Sequence, residues 1–177
     1  MTRFAWLAAL VFVAQAVQAH PQGFHLRTVM TLTPRKTQVL LTMDVDSGTR
    51  CLLIREAADE DRDGVLRGDE VKRIEKKLVS LLTRNLKLDV GGAPLPTEMK
   101  EAKVSLRSDL RVNDTGFSVA VLIDIEHPHP LPVGSVFHFE NVAPDLSAIS
   151  VEVFQPHGEP LRQEVESGMP LTVRLAE

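Results

Sequence analysis

Apolar residues alternate with polar ones along much of the chain, and a helical rhythm interrupts this pattern once. From Phe24 to Leu32 the alternation puts Phe24, Leu26, Met30 and Leu32 on one side of an extended segment. Pro34-Arg35-Lys36 marks a turn, after which Val39, Leu41, Met43 and Val45 repeat the two-residue period. The pair predicts two antiparallel strands, each with one buried face. Asp46-Ser47-Gly48 then supplies a helix start signal, and Thr49 to Ala58 reads as a helix. A second helix follows from Asp69, where Val71, Ile74, Leu78, Leu81 and Leu82 fall on one stripe. Lys72, Arg73, Lys76 and Lys77 lie off that stripe and read as a solvated face.

Strand patterns resume after the second helix. Leu86, Leu88 and Val90 form a short strand ended by Gly91-Gly92-Ala93-Pro94, and a further extended region runs around Lys103 to Val112. Asn113-Asp114-Thr115-Gly116 turns into the most regular stretch of all, in which Phe117, Val119, Val121, Ile123 and Ile125 alternate without a break. Past the proline-rich connector His127 to Pro132 come three more extended stretches: Ser135 to Glu140, Ala148 to Phe154 and Leu171 to Leu175. Short strands punctuated by Gly and Pro suggest a sandwich. The expected fold is α+β, an antiparallel β-sandwich-like domain with a helix-loop-helix inserted at 47–86. A chain of 177 residues suits one such domain.

Between the two helices lies Asp59-Glu60-Asp61-Arg62-Asp63-Gly64-Val65-Leu66-Arg67-Gly68-Asp69-Glu70. Its carboxylates at positions 1, 3, 5 and 12, its glycine at 6 and its aliphatic residue at 8 resemble the calcium loop of the EF-hand family. The chemistry explains the spacing. Ca²⁺ takes about six to eight oxygens at about 2.3–2.6 Å, so the backbone must curl while offering an oxygen at every second residue. Asp59, Asp61 and Asp63 are short enough to do this, Gly64 allows the sharp turn, Val65 offers its carbonyl, and Glu70 reaches back from the second helix. At position 9 stands Arg67, whose guanidinium has no lone pair to offer. The pocket is nonetheless strongly anionic, so calcium is expected in preference to magnesium, with moderate to weak affinity. EF-hands normally come in pairs joined through their position-8 residues, and the sequence contains no second loop. Either Leu66 packs on the sandwich, or two protomers form a homodimer through their loops.

The N-terminus sets the compartment. Met1-Thr2-Arg3 precedes an uncharged apolar run from Phe4 to Ala14, and Val17-Gln18-Ala19 places small residues at the −3 and −1 positions. The pattern predicts a signal peptide over 1–19, leaving a domain at 20–177 that is exported to the periplasm or secreted. Outside the cytoplasm a weak calcium site can stay occupied, which favours structural use over signalling. The net charge of −4 and the lack of a basic run argue against nucleic acid and anionic membrane surfaces as partners. The single cysteine, Cys51, reads as a buried structural thiol.

The order of pieces also resembles the extracytoplasmic domain of permeases of the hydrogenase/urease accessory and nickel/cobalt transporter type. The likeness rests on Ala19-His20-Pro21-Gln22-Gly23-Phe24, the strand pair, the acidic loop and the segment Leu86 to Leu95. It implies an envelope protein or membrane permease as partner. The sequence stops at Glu177 with no membrane segment, so transport by this chain alone is not expected. A competing expectation is a copper or nickel carrier that uses His20 as the mature N-terminus, with His25, His127, His129, His138 and His157 as further nitrogen ligands. No nucleophile elbow, glycine-rich phosphate loop or thiol pair points to an enzyme.

Overall fold

The computed structural model describes residues 24–84, 86–97, 99–105, 110–141 and 148–176. The expected signal peptide and His20 lie outside them. The early alternation becomes a long hairpin of β1 (Phe24–Leu32) and β2 (Lys36–Val45), paired antiparallel from Phe24 opposite Val45 to Leu32 opposite Thr37. Thr33 closes the turn: its hydroxyl donates to the Lys36 carbonyl at 2.9 Å, and its oxygen accepts the Lys36 amide at the same distance. Helices α1 (Thr49–Glu56) and α2 (Asp69–Thr83) follow, with α1 ending two residues before the expected Ala58. The short strands β3 (Leu86–Val90) and β4 (Ala93–Pro94) form the next hairpin.

The extended region expected around Lys103 to Val112 divides. Its strand, β5, runs earlier, over Met99–Ser105. Residues 106–109 lie outside the description, and Leu110–Val112 is a separate extended piece with a different partner. Then come β6 (Phe117–Glu126), β7 (Val136–Asn141), β8 (Ala148–Phe154), β9 (Leu161–Glu166) and β10 (Leu171–Arg174). Strand β9 has no counterpart in the sequence reading. All its residues but Val165 are exposed, so no buried alternation marks it.

The strands form two sheets, ordered β5-β6-β2-β1-β8-β9 and β10-β7-β3-β4. One expectation needs correcting, since the larger sheet is mixed. Strand β8 runs parallel to β1, with Leu26 opposite Ile149 and Thr31 opposite Phe154. The cause is the crossover. The chain leaves the larger sheet after β6, builds β7 into the smaller one, and returns to lie beside β1, where no hairpin sets its direction. Alternation reports which face of a strand is buried but says nothing about which way it runs.

Both sheets and both helices contribute to one apolar core, including Met30, Leu41 and Val121 from the larger sheet, Leu88, Phe139 and Val173 from the smaller, and Ile74 and Leu78 from α2. The amphipathic stripe of α2 packs against β6 and β5. At its C-terminal end the buried Asn141 of β7 donates its amide to the Leu82 carbonyl at 3.3 Å. Among the described residues no helix is long and apolar enough to cross a membrane.

The entrance to β6 is tightly constrained. A Cβ placed on Gly116 would lie 2.6 Å from the Val45 carbonyl oxygen and 3.1 Å from the Ser47 amide, both backbone atoms at the end of β2. No rotamer change relieves such a contact. Gly116→Ala is expected to lower stability by about 1–3 kcal/mol, read as a fall in urea midpoint at unchanged m-value.

Candidate metal centre

The acidic loop hangs from the last turn of α1. The carbonyl of Arg55 accepts the amides of Ala58 and Asp59 at 3.0 and 3.1 Å, so Asp59 leaves the helix in a fixed direction. Backbone torsions then roll the chain over. Arg62 has φ 58° and Gly64 φ 78°, both left-handed, and Gly64 carries no steric penalty for it. Short hydrogen bonds lock the curl. Asp61 Oδ1 accepts the Asp63 amide at 3.0 Å, Asp63 Oδ1 accepts the Val65 amide at 2.8 Å, and Asp59 Oδ2 accepts the Gly64 amide at 3.0 Å.

These turns bring Asp59, Asp61 and Asp63 together, each offering a carboxylate oxygen within 4.8 Å of the others. Asp59 Oδ1 is buried and has no hydrogen-bond partner. An anionic oxygen withdrawn from water with nothing to satisfy it is costly, and two further carboxylates beside it raise that cost. A bound cation would relieve both terms. Three hard oxygen donors suit a hard divalent ion, so the residues present fit calcium.

The remaining expected ligands are placed differently. Glu70 does not join the group of three. Its Oε1 accepts the Glu60 amide at 2.8 Å, which draws the two ends of the loop together, and its Oε2 accepts the Arg67 amide at 3.0 Å. Arg67, expected to lack a ligand atom, makes an ion pair with Asp63 Oδ2, and Arg73 of α2 pairs with Glu60.

The orientation of Val65 follows from its neighbours. The Leu66 amide donates to the Leu110 carbonyl at 2.7 Å, and the Val112 amide donates to the Gly64 carbonyl at 2.9 Å, with Val65 opposite Arg111 in an antiparallel bridge. Alternate groups on an extended strand point to opposite sides. The Val65 amide and carbonyl therefore face away from Leu110–Val112, and the amide reaches Asp63 on that side.

The bridge also bears on the placement of Leu66. The side chain is fully buried in the core, so it packs on the sheet domain. Within the chain, the Leu66 amide is already bonded to the Leu110 carbonyl, and Val65 pairs with Arg111. The sequence reading includes Leu110–Val112 in an extended region but carries no sign of its pairing with the loop, which lies far away in the chain.

The sequence reading also gives no sign of Arg55, because an arginine in a short helix carries no mark of burial. Arg55 is fully buried, and its two terminal nitrogens donate to the carbonyls of Arg111 and Thr115, each at 3.0 Å. Cys51, one helical turn earlier, is buried as expected and donates its thiol to the same Thr115 carbonyl at 2.7 Å. The Gly48 amide reaches the Asp114 carbonyl at 3.0 Å.

Among the described residues the histidines do not converge on a second site. His25 is exposed and lies 3.4 Å from Asp46, His127 Nε2 is 2.9 Å from the Thr37 hydroxyl, and His138 Nδ1 is 3.0 Å from the Thr172 hydroxyl. Burial holds the His127 imidazole below its ordinary pKa of 6.5, which favours its neutral form. Among the described residues, Asp59, Asp61 and Asp63 are the one group of three or more His, Cys, Asp or Glu side chains close enough to share an ion.

Leu66→Ala is expected to cost about 2–5 kcal/mol, measured by urea or thermal unfolding, because the loop would lose its only fully buried side chain and leave a cavity under the bridge.

No protein-family model matches the chain, and no curated protein matches it significantly.

Proposed function

We propose that the protein is an exported, non-enzymatic calcium-binding module with one EF-hand, in which the ion has a structural or positioning role within the cell envelope. The ligands are the carboxylates of Asp59, Asp61 and Asp63, the carbonyl of Val65, and the carboxylate of Glu70. The observation that carries this reading is the convergence of Asp59, Asp61 and Asp63, together with the buried, unsatisfied Oδ1 of Asp59. When bound, calcium supplies the positive charge that lets these oxygens sit together out of water. An envelope protein or membrane permease is the proposed partner.

Glu70 joins the ion only by giving up two amide hydrogen bonds, and Asp63 is already engaged by Arg67. Both competitions lower the affinity. Calcium suits the site better than magnesium, which demands near-octahedral geometry and dehydrates reluctantly.

With free calcium at ten times the dissociation constant, occupancy adds about 1.4 kcal/mol to folding stability. Millimolar calcium is therefore expected to raise the melting temperature by about 3–6 °C, and magnesium by less. Asp59→Ala is expected to abolish the shift. A melting temperature indifferent to calcium, or an equal rise in the variant, sinks the proposal.

Arg67→Ala removes the competing ion pair. The calorimetric dissociation constant for calcium is expected to fall by up to about fivefold, the scale of an exposed pair worth about 0.2–1 kcal/mol.

A further inference from the structure

We propose that Leu110–Thr115 is a built-in partner for the acidic loop, and that buried Arg55 is the positioning residue that sets the loop's calcium affinity through it. The inference rests on the calcium reading above.

Arg55 is hydrogen-bonded to both halves of this arrangement. Its backbone carbonyl takes the amides of Ala58 and Asp59, which fixes the departure of the first ligand from α1. Its guanidinium takes the carbonyls of Arg111 and Thr115. Arg111 lies directly opposite Val65, whose carbonyl is the one backbone ligand. The two flanking groups, Gly64 carbonyl and Leu66 amide, are held by Val112 and Leu110. With both flanks fixed, the Val65 carbonyl is turned toward the aspartate side before any ion arrives. Such preorganisation removes an ordering cost from binding.

The choice of residue supports a positioning role. Burying a guanidinium costs several kcal/mol unless its donors are satisfied, so an apolar side chain would serve simple packing better. A planar fork of donors is what two separated carbonyls require, and lysine cannot reproduce it. Coupling of this kind is reciprocal. An ion that tightens the loop must also tighten Leu110–Thr115, and Gly116 carries that segment straight into β6.

The test uses the full chain. Calcium is titrated by calorimetry into the unmodified protein, Arg55→Lys and Arg55→Met, and amide hydrogen exchange is recorded on the unmodified protein with and without calcium. Arg55→Met is expected to weaken binding about tenfold, the scale of losing hydrogen bonds from a charged donor, with Arg55→Lys in between. Calcium is expected to slow exchange at the Leu66 and Val112 amides by a larger factor than at the β1–β2 amides, which gain only the global stabilisation. An unchanged dissociation constant in folded Arg55→Met, or slowing at Leu66 and Val112 no greater than at the β1–β2 amides, overturns the inference and leaves the calcium reading intact. Should Arg55→Met fail to fold, the exchange result decides alone. If the unmodified chain shows no calcium binding, the calcium reading falls and this inference with it.

Discussion

Everything in the acidic loop depends on two backbone hydrogen bonds and one leucine. A loop that gathers three carboxylates on one side needs something on the other side to hold it in place, and carboxylates repel each other when no cation is near. The bonds from Leu66 to Leu110 and from Val112 to Gly64 anchor the back of the loop, and the Leu66 side chain sinks into the core between them. The like charges then sit on a surface fixed by packing against the sheet domain. Without that anchor, the same twelve residues would be a flexible acidic turn.

The same constraint explains how a sheet-rich domain can carry a lone helix-loop-helix. Helix α1 is only eight residues long, too short to be stable by its own hydrogen bonds. What fixes it is burial of Cys51 and Arg55 against residues 111–115. Helix α2 is longer, and its stripe of Ile74, Leu78 and Leu82 covers β6 and β5. The two helices are thus held by one neighbourhood of the larger sheet, the lead-in to β6 and β6 itself. Gly116 is where the lead-in comes so close to the end of β2 that no side chain fits.

Much of this was legible in the sequence, and the missing parts share a physical cause. Strands β1, β2 and β6 were readable because one face of each is buried and the other is not, and the α2 stripe was readable for the same reason at a different period. Strand β9 was invisible because a largely exposed strand has no such contrast. The parallel pairing of β1 with β8 was invisible because direction depends on a crossover through the other sheet. At the acidic loop, the spacing of Asp59, Asp61 and Asp63 was visible because each ligand position is local. The arrangement behind the loop was not, since Arg55 and Arg111 are 56 residues apart and an arginine in a short helix carries no mark of burial.

The position of Glu70 gives the charge balance of the loop its logic. Its bond to the Glu60 amide closes the loop, because Glu60 and Glu70 lie near its opposite ends, while its bond to the Arg67 amide secures the start of α2. Arg67 on Asp63 and Arg73 on Glu60 spread positive charge over the acidic face. Together these contacts stand in for part of what an ion would do, so the loop can keep its curl with no cation bound. That same substitution limits what the ion gains, since each contact it displaces is subtracted from its binding. A loop arranged this way trades affinity for a standing shape. Such a trade is consistent with the structural role proposed above for the ion and would serve poorly in a sensor that must change shape at low calcium.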